Sequence, residues 1–172
     1  ALKALKKLNQ PIENYRLVVI GDGPKKKEYE ILADKLGISH TVKFMGEIYK
    51  EDELAPYFLA ADLGISPGSV GLFAVHAHAY GLPVCTHDSS LTKQKPEHEI
   101  IIEGKTGFFF EERNADDLAL KIKNWFERMS NYDEIRRLCI EQVEKSYNPK
   151  VQANIFCQML QYLESRNCKQ GK

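Results

Sequence analysis

Short apolar runs rich in β-branched residues alternate with amphipathic stretches along most of the chain. The runs have the length and composition of buried strands, and the stretches between them repeat apolar residues at helical spacing. This pattern predicts strands at 16–21, 41–45, 62–66, 83–86 and 107–110. It predicts helices at 25–36, 51–60, 72–80 and 97–103, and a helical region from 114 onward that breaks at 148–149.

Strands separated by helices predict βαβ units, and hence an α/β fold: a Rossmann-like, doubly wound parallel sheet with helices on both faces. We expect one domain over 1–172, ending in a C-terminal helix at 148–172. The leucines at 2, 5 and 8 have helical spacing without an initiator Met or a capping residue before them. We therefore expect the chain to enter a helix part-way and to be a piece of a longer protein.

The composition narrows the function classes. Lys+Arg and Asp+Glu both number 24, and this balance argues against a general nucleic-acid binder and against polybasic attachment to a membrane. No apolar run of this sequence is long enough to cross a bilayer, and we expect no secretory signal. The four cysteines lack metal-ligand spacing, so we expect reduced thiols in a cytoplasmic protein and no metal site.

In a doubly wound sheet, ligands bind outside the carboxyl ends of the strands. At the first such end, Gly21 and Gly23 form a Gly-x-Gly turn that lets the backbone approach a ligand closely. Lys26 stands where a dinucleotide fingerprint needs its third glycine, so a plain βα turn explains these glycines equally well. Lys25–Lys27 could lie near a phosphate, although a solvated helix face explains them as well.

The segment from Ser66 to Val84 carries most of the information. After the predicted strand, small residues lead into a helix, so free backbone N–H groups and the helix dipole would suit an anionic phosphate there. The candidate phosphate-binding residues are Gly68, Ser69, Val70, Gly71 and Leu72.

This segment resembles the family 4 (group 1) glycosyltransferases of the GT-B fold. The resemblance rests on an ordered set of motifs from Leu17 to about Trp125: Gly21-Asp-Gly-Pro24, Val42-Lys-Phe-Met-Gly46, Ala61-Asp62, Gly71-Leu72, Ala77-x-Ala79-x-Gly81-x-Pro83-Val84, Pro96-Glu97 and Gly104-Lys-Thr-Gly107. It implies the donor-binding, C-terminal half of an enzyme that transfers sugar from a UDP- or GDP-linked donor, with retention and without a metal ion or other cofactor. The acceptor, a glycan or lipid-linked molecule as in polysaccharide biosynthesis, would be held by a missing N-terminal domain. That half could associate peripherally with the inner face of the membrane.

The family's two motif glutamates are absent here, since no acid occurs between Asp62 and Asp88. By the resemblance, the second glutamate, which holds the ribose, aligns with His76, whose imidazole can still hydrogen-bond a hydroxyl. The first glutamate, which contacts the donor sugar, falls near Gly68 where the loop is shorter. The base-contacting loop corresponds to Gly46, Glu47 and Ile48. The family's diphosphate-binding Arg and Lys lie before residue 1, so we assign no catalytic residue and expect the fragment alone to be inactive.

Other candidates have plainer explanations. His78 lies about 200° around the helix from His76, so we expect a packed or capped surface histidine. His87-Asp88 could border the sugar site or simply form a turn, and Ser89-Ser90 lacks partners for a hydrolase triad. We interpret Phe108–Phe110 and Trp125 as packing residues. Two other functions stay open: a catalytically reduced GT-B-like binding module, and an unrelated Rossmann-type nucleotide-binding domain.

Overall fold

A computed structural model describes residues 1–10, 14–88 and 96–170 of the chain. Its strands are β1 (Leu17–Ile20), β2 (Val42–Gly46), β3 (Gly64–Ser66), β4 (Val84–His87) and β5 (Gly107–Phe110). Its α-helices are α1 (Leu2–Leu8), α2 (Lys26–Leu36), α3 (Glu51–Ala60), α4 (Leu72–Ala79), α5 (Ala115–Arg128), α6 (Tyr132–Gln142) and α7 (Pro149–Gln170). The predicted α/β class, with parallel strands flanked by helices, is confirmed.

The strands form two hydrogen-bonded groups, and every pair in them is parallel. β1 pairs with β2, with Leu17 opposite Val42. The second group has the order β3-β4-β5, with Gly64 opposite Val84 and Val84 opposite Gly107. All four residues of β4 are buried, as expected for a central strand covered on both faces.

Three clusters of buried side chains hold helices onto the strands. The first joins β4 and β5 to α1 and α5 through residues such as Phe108, Leu118 and Trp125. The second joins α3, α4 and β4, with Phe58 and Ala77 among its members. The third packs α1 and α2 against β1 and β2, so α1 contributes to two of the three clusters.

Local sequence signals set several helix ends. Gly37 closes α2 in the left-handed conformation at φ 68°, which glycine adopts without a Cβ penalty. Asn114 caps α5 by accepting hydrogen bonds from the backbone N–H groups of Asp116 and Asp117 at 3.0 and 2.9 Å.

Two predicted helical stretches were wrong in detail. The helix expected at 97–103 is a 3₁₀ turn over Pro96–Ile100. Ile100 and Ile101, at the end of this turn, are both buried in the core. The region from 114 also breaks before residue 148, because Asn131 caps a new helix by accepting from the Glu134 N–H at 3.2 Å. A π-helical turn over Val143–Tyr147 then leads into α7.

No helix in the described part of the chain is both long and apolar enough to cross a membrane.

Candidate functional site

The predicted site residues follow the carboxyl ends of three strands. Gly21 and Gly23 follow β1, the loop from Gly46 to Lys50 joins β2 to α3, and the turn at 67–71 joins β3 to α4. Carboxyl ends of parallel strands in a doubly wound fold border the ligand crevice. The structure therefore places these turns at the edge where the fold favours a ligand.

The turn at 68–72 presents an accessible backbone at the start of α4. Gly68, Ser69 and Leu72 are exposed, whereas Val70 is only 3% exposed and anchors the turn in the core. The Gly68 carbonyl accepts hydrogen bonds from the hydroxyls of Ser66 at 3.3 Å and Thr86 at 3.2 Å. Two strands thus hold the turn in place.

Gly71 is the N-cap residue of α4, with φ 51° and ψ −150°. This backbone conformation is essentially restricted to glycine. Because glycine has no side chain, no capping oxygen competes for the N–H groups of the first helical turn. The start of α4 can therefore donate to an anion.

The first Gly-x-Gly turn lies beside the end of β2. The Gly21 N–H donates to the Gly46 carbonyl at 2.7 Å. Lys26 extends over the same edge, because a Cβ built on Gly46 would lie 3.7 Å from the Lys26 ammonium. The sequence suggested Lys25–Lys27 as cations near a phosphate or on a solvated helix face, but it did not indicate that Lys26 pairs with Asp22, four residues before it.

The Lys26 ammonium lies 3.5 Å from Asp22 Oδ2, and Asp22 Oδ1 accepts from the Gly23 N–H at 2.6 Å. These two groups, the backbone N–H first, lower the pKa of the Asp22 carboxyl. The turn therefore carries both a carboxylate and an ammonium, so its charge does not favour an anion alone.

His76 faces α3. Its Nε2 lies 2.8 Å from Glu51 Oε1, and its side chain is 38% exposed. The Tyr80 hydroxyl donates to the same Glu51 oxygen, and Phe58 stacks on Tyr80 with ring centroids 5.3 Å apart. Hydrogen bonds from Tyr80 and His76 lower the pKa of Glu51, and the bond to Glu51 raises the pKa of Tyr80. Sequence reasoning missed Glu51, because no local spacing relates it to His76.

His78 is buried, so its assignment to the surface was wrong, although the expected packing is present. It is 0% exposed, and its Nε2 lies 3.1 Å from the Thr106 carbonyl. Because α4 is covered by other elements on this side, burial lowers the pKa of His78 to about 4. His76 and His78 therefore lie in different surroundings, one at the α3 interface and one in the core.

The remaining candidates lie as follows. His87 is 3% exposed at the end of β4, and the Asp88 N–H donates to the Phe110 carbonyl at 2.9 Å. Ser89-Ser90 lies outside the described residues. Phe108 packs on Trp125 with ring centroids 5.5 Å apart, as expected of core residues.

The loop after β2 was predicted to contact the nucleotide base. In it, Glu47 is exposed and Ile48 is half-buried, and a hydrogen bond with Glu47 raises the pKa of Tyr49. Nothing in these contacts assigns Glu47 or Ile48 to a ligand, so both stay predictions.

Within the described residues, no three His, Cys, Asp or Glu side chains come together as metal ligands. Cys85, Cys139 and Cys157 are free thiols. Burial raises the pKa of Cys85 and raises that of Cys139 to about 12, so neither is a reactive thiolate at neutral pH. The expectation that the protein works without a metal ion stays a prediction.

Known proteins resemble this chain in sequence and in fold. It is 28% identical over 149 residues to the sulfoquinovosyl transferase SQD2 of Arabidopsis thaliana, covering 84% of this chain and 28% of that protein. The C-terminal domain of the group 1 glycosyl transferase LpcC from Francisella tularensis superposes with a TM-score of 0.70 at 22% identity, covering 86% of this chain and 77% of that one. Anabaena Alr3699/HepE, solved in complex with UDP, superposes with a TM-score of 0.71 at 21% identity, covering 95% of this chain and 44% of that one.

These neighbours confirm the fold that the sequence motifs implied, and LpcC is described as a group 1 glycosyl transferase. The chain spans about a quarter of the length of the curated relatives it matches. The model of the family described as "Glycosyl transferases group 1" matches residues 1–146, and the chain therefore belongs to this family of glycosyltransferases.

Proposed function

We propose that this chain is the donor-binding domain of a retaining, metal-independent glycosyltransferase that uses a UDP- or GDP-linked sugar. The observation that carries the proposal is the glycine start of α4, whose first-turn N–H groups are left without a side-chain cap at the carboxyl edge of the strands. A diphosphate is the anionic part of a nucleotide sugar, and a helix start suits it.

In this proposal the diphosphate lies against Gly68–Leu72 and the ribose lies beside His76. The base lies along the loop between β2 and α3, against Gly46, Glu47 and Ile48. Gly21 and Gly23 border the same crevice, since the Gly21 N–H is bonded to the Gly46 carbonyl. The structure of HepE in complex with UDP, which has the same fold, supports a nucleotide as the ligand class.

The acceptor, a glycan or a lipid-linked molecule, would be held by an N-terminal domain. Two observations support a partner domain. The chain aligns with 28% of SQD2 and 44% of HepE, and it matches a separately solved C-terminal domain, that of LpcC, over 77% of that chain. The second observation is the surface of α7.

Helix α7 presents apolar side chains that are 43% to 57% exposed, and Arg166 lies over the ring of one of them, Tyr162. The apolar side chains are Ile155, Phe156, Met159, Leu160, Tyr162 and Leu163. At about 100° per residue these side chains occupy a stripe about 160° wide along one side of the helix. An apolar stripe of this width is typical of a helix face that packs against another surface. We propose that the N-terminal half of the same enzyme covers it, and that the enzyme works in the cytoplasm, at the inner face of the membrane where its acceptor is lipid-linked.

Calorimetric titration with UDP, GDP and ADP tests the donor-site proposal. We expect one of them to bind, and His76→Ala to weaken that binding several-fold while His40→Ala, at the opposite edge before β2, leaves it unchanged. Unchanged affinity in His76→Ala would remove His76 from the ribose site. Binding lost with Gly23→Ala but kept with Gly71→Ala would instead move the nucleotide from the start of α4 to the first Gly-x-Gly turn.

A second candidate, a catalytically reduced binding module, is favoured by the absence of any acid between Asp62 and Asp88. Catalysis needs charge stabilisation of the leaving diphosphate, which an isolated half would provide poorly. Nucleotide binding without sugar transfer by a chain that carries both domains would support this candidate. Robust transfer by the 172-residue chain alone would refute the proposal that another domain is needed.

A further inference from the structure

Glu51 differs from the two acidic residues that follow it in the first turn of α3. Glu53 pairs with the Lys50 ammonium at 2.9 Å, and Asp52 Oδ1 accepts from the Glu53 N–H at 3.1 Å. Both contacts are local and typical of a helix start. The Glu51 carboxylate instead reaches α4, where its partners are 25 and 29 residues away in sequence.

One oxygen of Glu51 takes both of these contacts. A carboxylate can only accept, so His76 Nε2 donates to Oε1 at 2.8 Å, and the Tyr80 hydroxyl donates to the same atom. The second oxygen, Oε2, has no hydrogen-bond partner within the described part of the chain. The side chain is 57% exposed, so Oε2 is open to a ligand.

The donors themselves are held in place. Phe58, which is 8% exposed, packs on both: its ring centroid is 4.7 Å from that of His76, and its ring is nearly parallel to that of Tyr80, at an angle of 6°. The side chain of Tyr80 extends back toward the start of α4, as helical side chains do, which explains how it reaches Glu51. Because His76 and Tyr80 are held in this way, they fix the orientation of the Glu51 carboxylate and hence the direction of Oε2.

We propose that Glu51 binds the vicinal hydroxyls of the nucleotide ribose through Oε2, with His76 and Tyr80 as positioning residues for its carboxylate. This inference rests on the proposed function. It places on α3 the ribose acceptor that α4 lacks, since α4 and its flanking turns contain no acid. Hydroxyl-to-carboxylate bonds are among the stronger hydrogen bonds, and a carboxylate offers acceptors on both oxygens.

The position of Glu51 fits a ribose between base and phosphate. Glu51 begins α3 immediately after the loop proposed to contact the base, and His76 lies four residues into α4 from the turn proposed to bind phosphate. The cluster therefore joins the two parts of the site that a nucleotide would span.

Titration of the 172-residue chain with UDP and 2′-deoxy-UDP, and with GDP and 2′-deoxy-GDP, tests the inference. For the base that binds, we expect wild type to bind the deoxynucleotide roughly tenfold more weakly, the effect of one lost charge-assisted bond. Glu51→Gln should bind the ribonucleotide roughly tenfold more weakly and should no longer distinguish the two sugars. Glu53→Gln, which removes the same charge from the same turn, should behave like wild type.

Tyr80→Phe provides the second variant, because it keeps the ring stacked on Phe58 and removes only the hydroxyl. We expect its ribose discrimination to fall between those of wild type and Glu51→Gln, with circular dichroism unchanged. If Glu51→Gln lowers thermal stability yet keeps full discrimination, the cluster only joins the two helices and the inference is wrong. If wild type binds none of the four nucleotides, the proposed function fails and the inference with it.

Discussion

His78 makes the free energy of unfolding depend on pH over a range set by its pKa in the folded and unfolded states. The side chain is 0% exposed, and its Nδ1 has no hydrogen-bond partner. Burial is the main cause that lowers the pKa of His78 from 6.5 to about 4, while the bond to the Thr106 carbonyl acts in the opposite direction. The folded protein thus favours the neutral imidazole.

The sign follows from which state takes up the proton. Between pH 6.5 and 4 the unfolded chain binds a proton at His78 that the native state excludes. The stabilisation is therefore complete above pH 6.5 and is lost as pH falls toward 4. The full loss is about 3 kcal/mol, at 1.36 kcal/mol for each pKa unit, and about 2 kcal/mol is already lost at pH 5.

Urea denaturation at pH 7.5 and pH 5.0 measures this loss, with the fluorescence of the single tryptophan, the buried Trp125, as the signal. His78→Gln is the matched variant, since its side-chain amide can still donate to Thr106. We expect wild type to lose about 2 kcal/mol more than His78→Gln between the two pH values, because the other titrating groups are common to both. Equal losses in the two proteins would show that His78 is not held neutral. Direct NMR titration of the His78 ring in native wild type gives an independent check, with a midpoint near pH 4 expected.

Three further predictions follow from the backbone and the thiols. Gly107→Ala should destabilise the fold by at least about 3 kcal/mol in chemical denaturation, because the new Cβ would lie 1.8 Å from the Val84 carbonyl oxygen. The control is Gly68→Ala, whose Cβ would meet nothing within 4 Å and whose stability should be nearly that of wild type. Gly71→Ala should cost about 1–3 kcal/mol in the same assay, since φ 51° strains any residue with a Cβ, and wild-type stability in this variant would contradict the described turn. Iodoacetamide followed by peptide mass analysis should find exposed Cys157 alkylated in the native protein and buried Cys139 only in urea; rapid native labelling of Cys139 would contradict its burial.

The hydrophobic pattern predicts most elements of this fold because most of them are decided locally. The predicted bounds of α3 and β5 match the structure residue for residue, and Gly37 marks the end of α2 as its freedom at positive φ suggests. The stretch after Pro96 could not be resolved in this way. The apolar pattern there is too short to distinguish an α-helix from a 3₁₀ turn, and the outcome depends on how the buried Ile100 and Ile101 pack.

The candidate site likewise has features that the sequence predicts and features that it does not. Its turns are visible in the sequence, since glycines after a strand indicate where a ligand can approach the backbone. Contacts between helices are not visible: Glu51 and His76 lie 25 residues apart, and only the packing of α3 on α4 brings them together. The burial of His78 is likewise a tertiary property, because its position two residues from His76 says only that the two face different ways.

The two neighbouring residues Ala4 and Leu5 have a consequence for how the domain responds to change. Ala4 is buried in the cluster of β4 and β5, and Leu5 is buried with β1 and β2. No strand pairing in the described chain joins these two groups, so α1 is one of the elements that connect them through side chains. The proposed nucleotide crevice has one wall on each group. A change in the size of Ala4 or Leu5 is therefore expected to alter the width of that crevice, although α1 is only seven residues long.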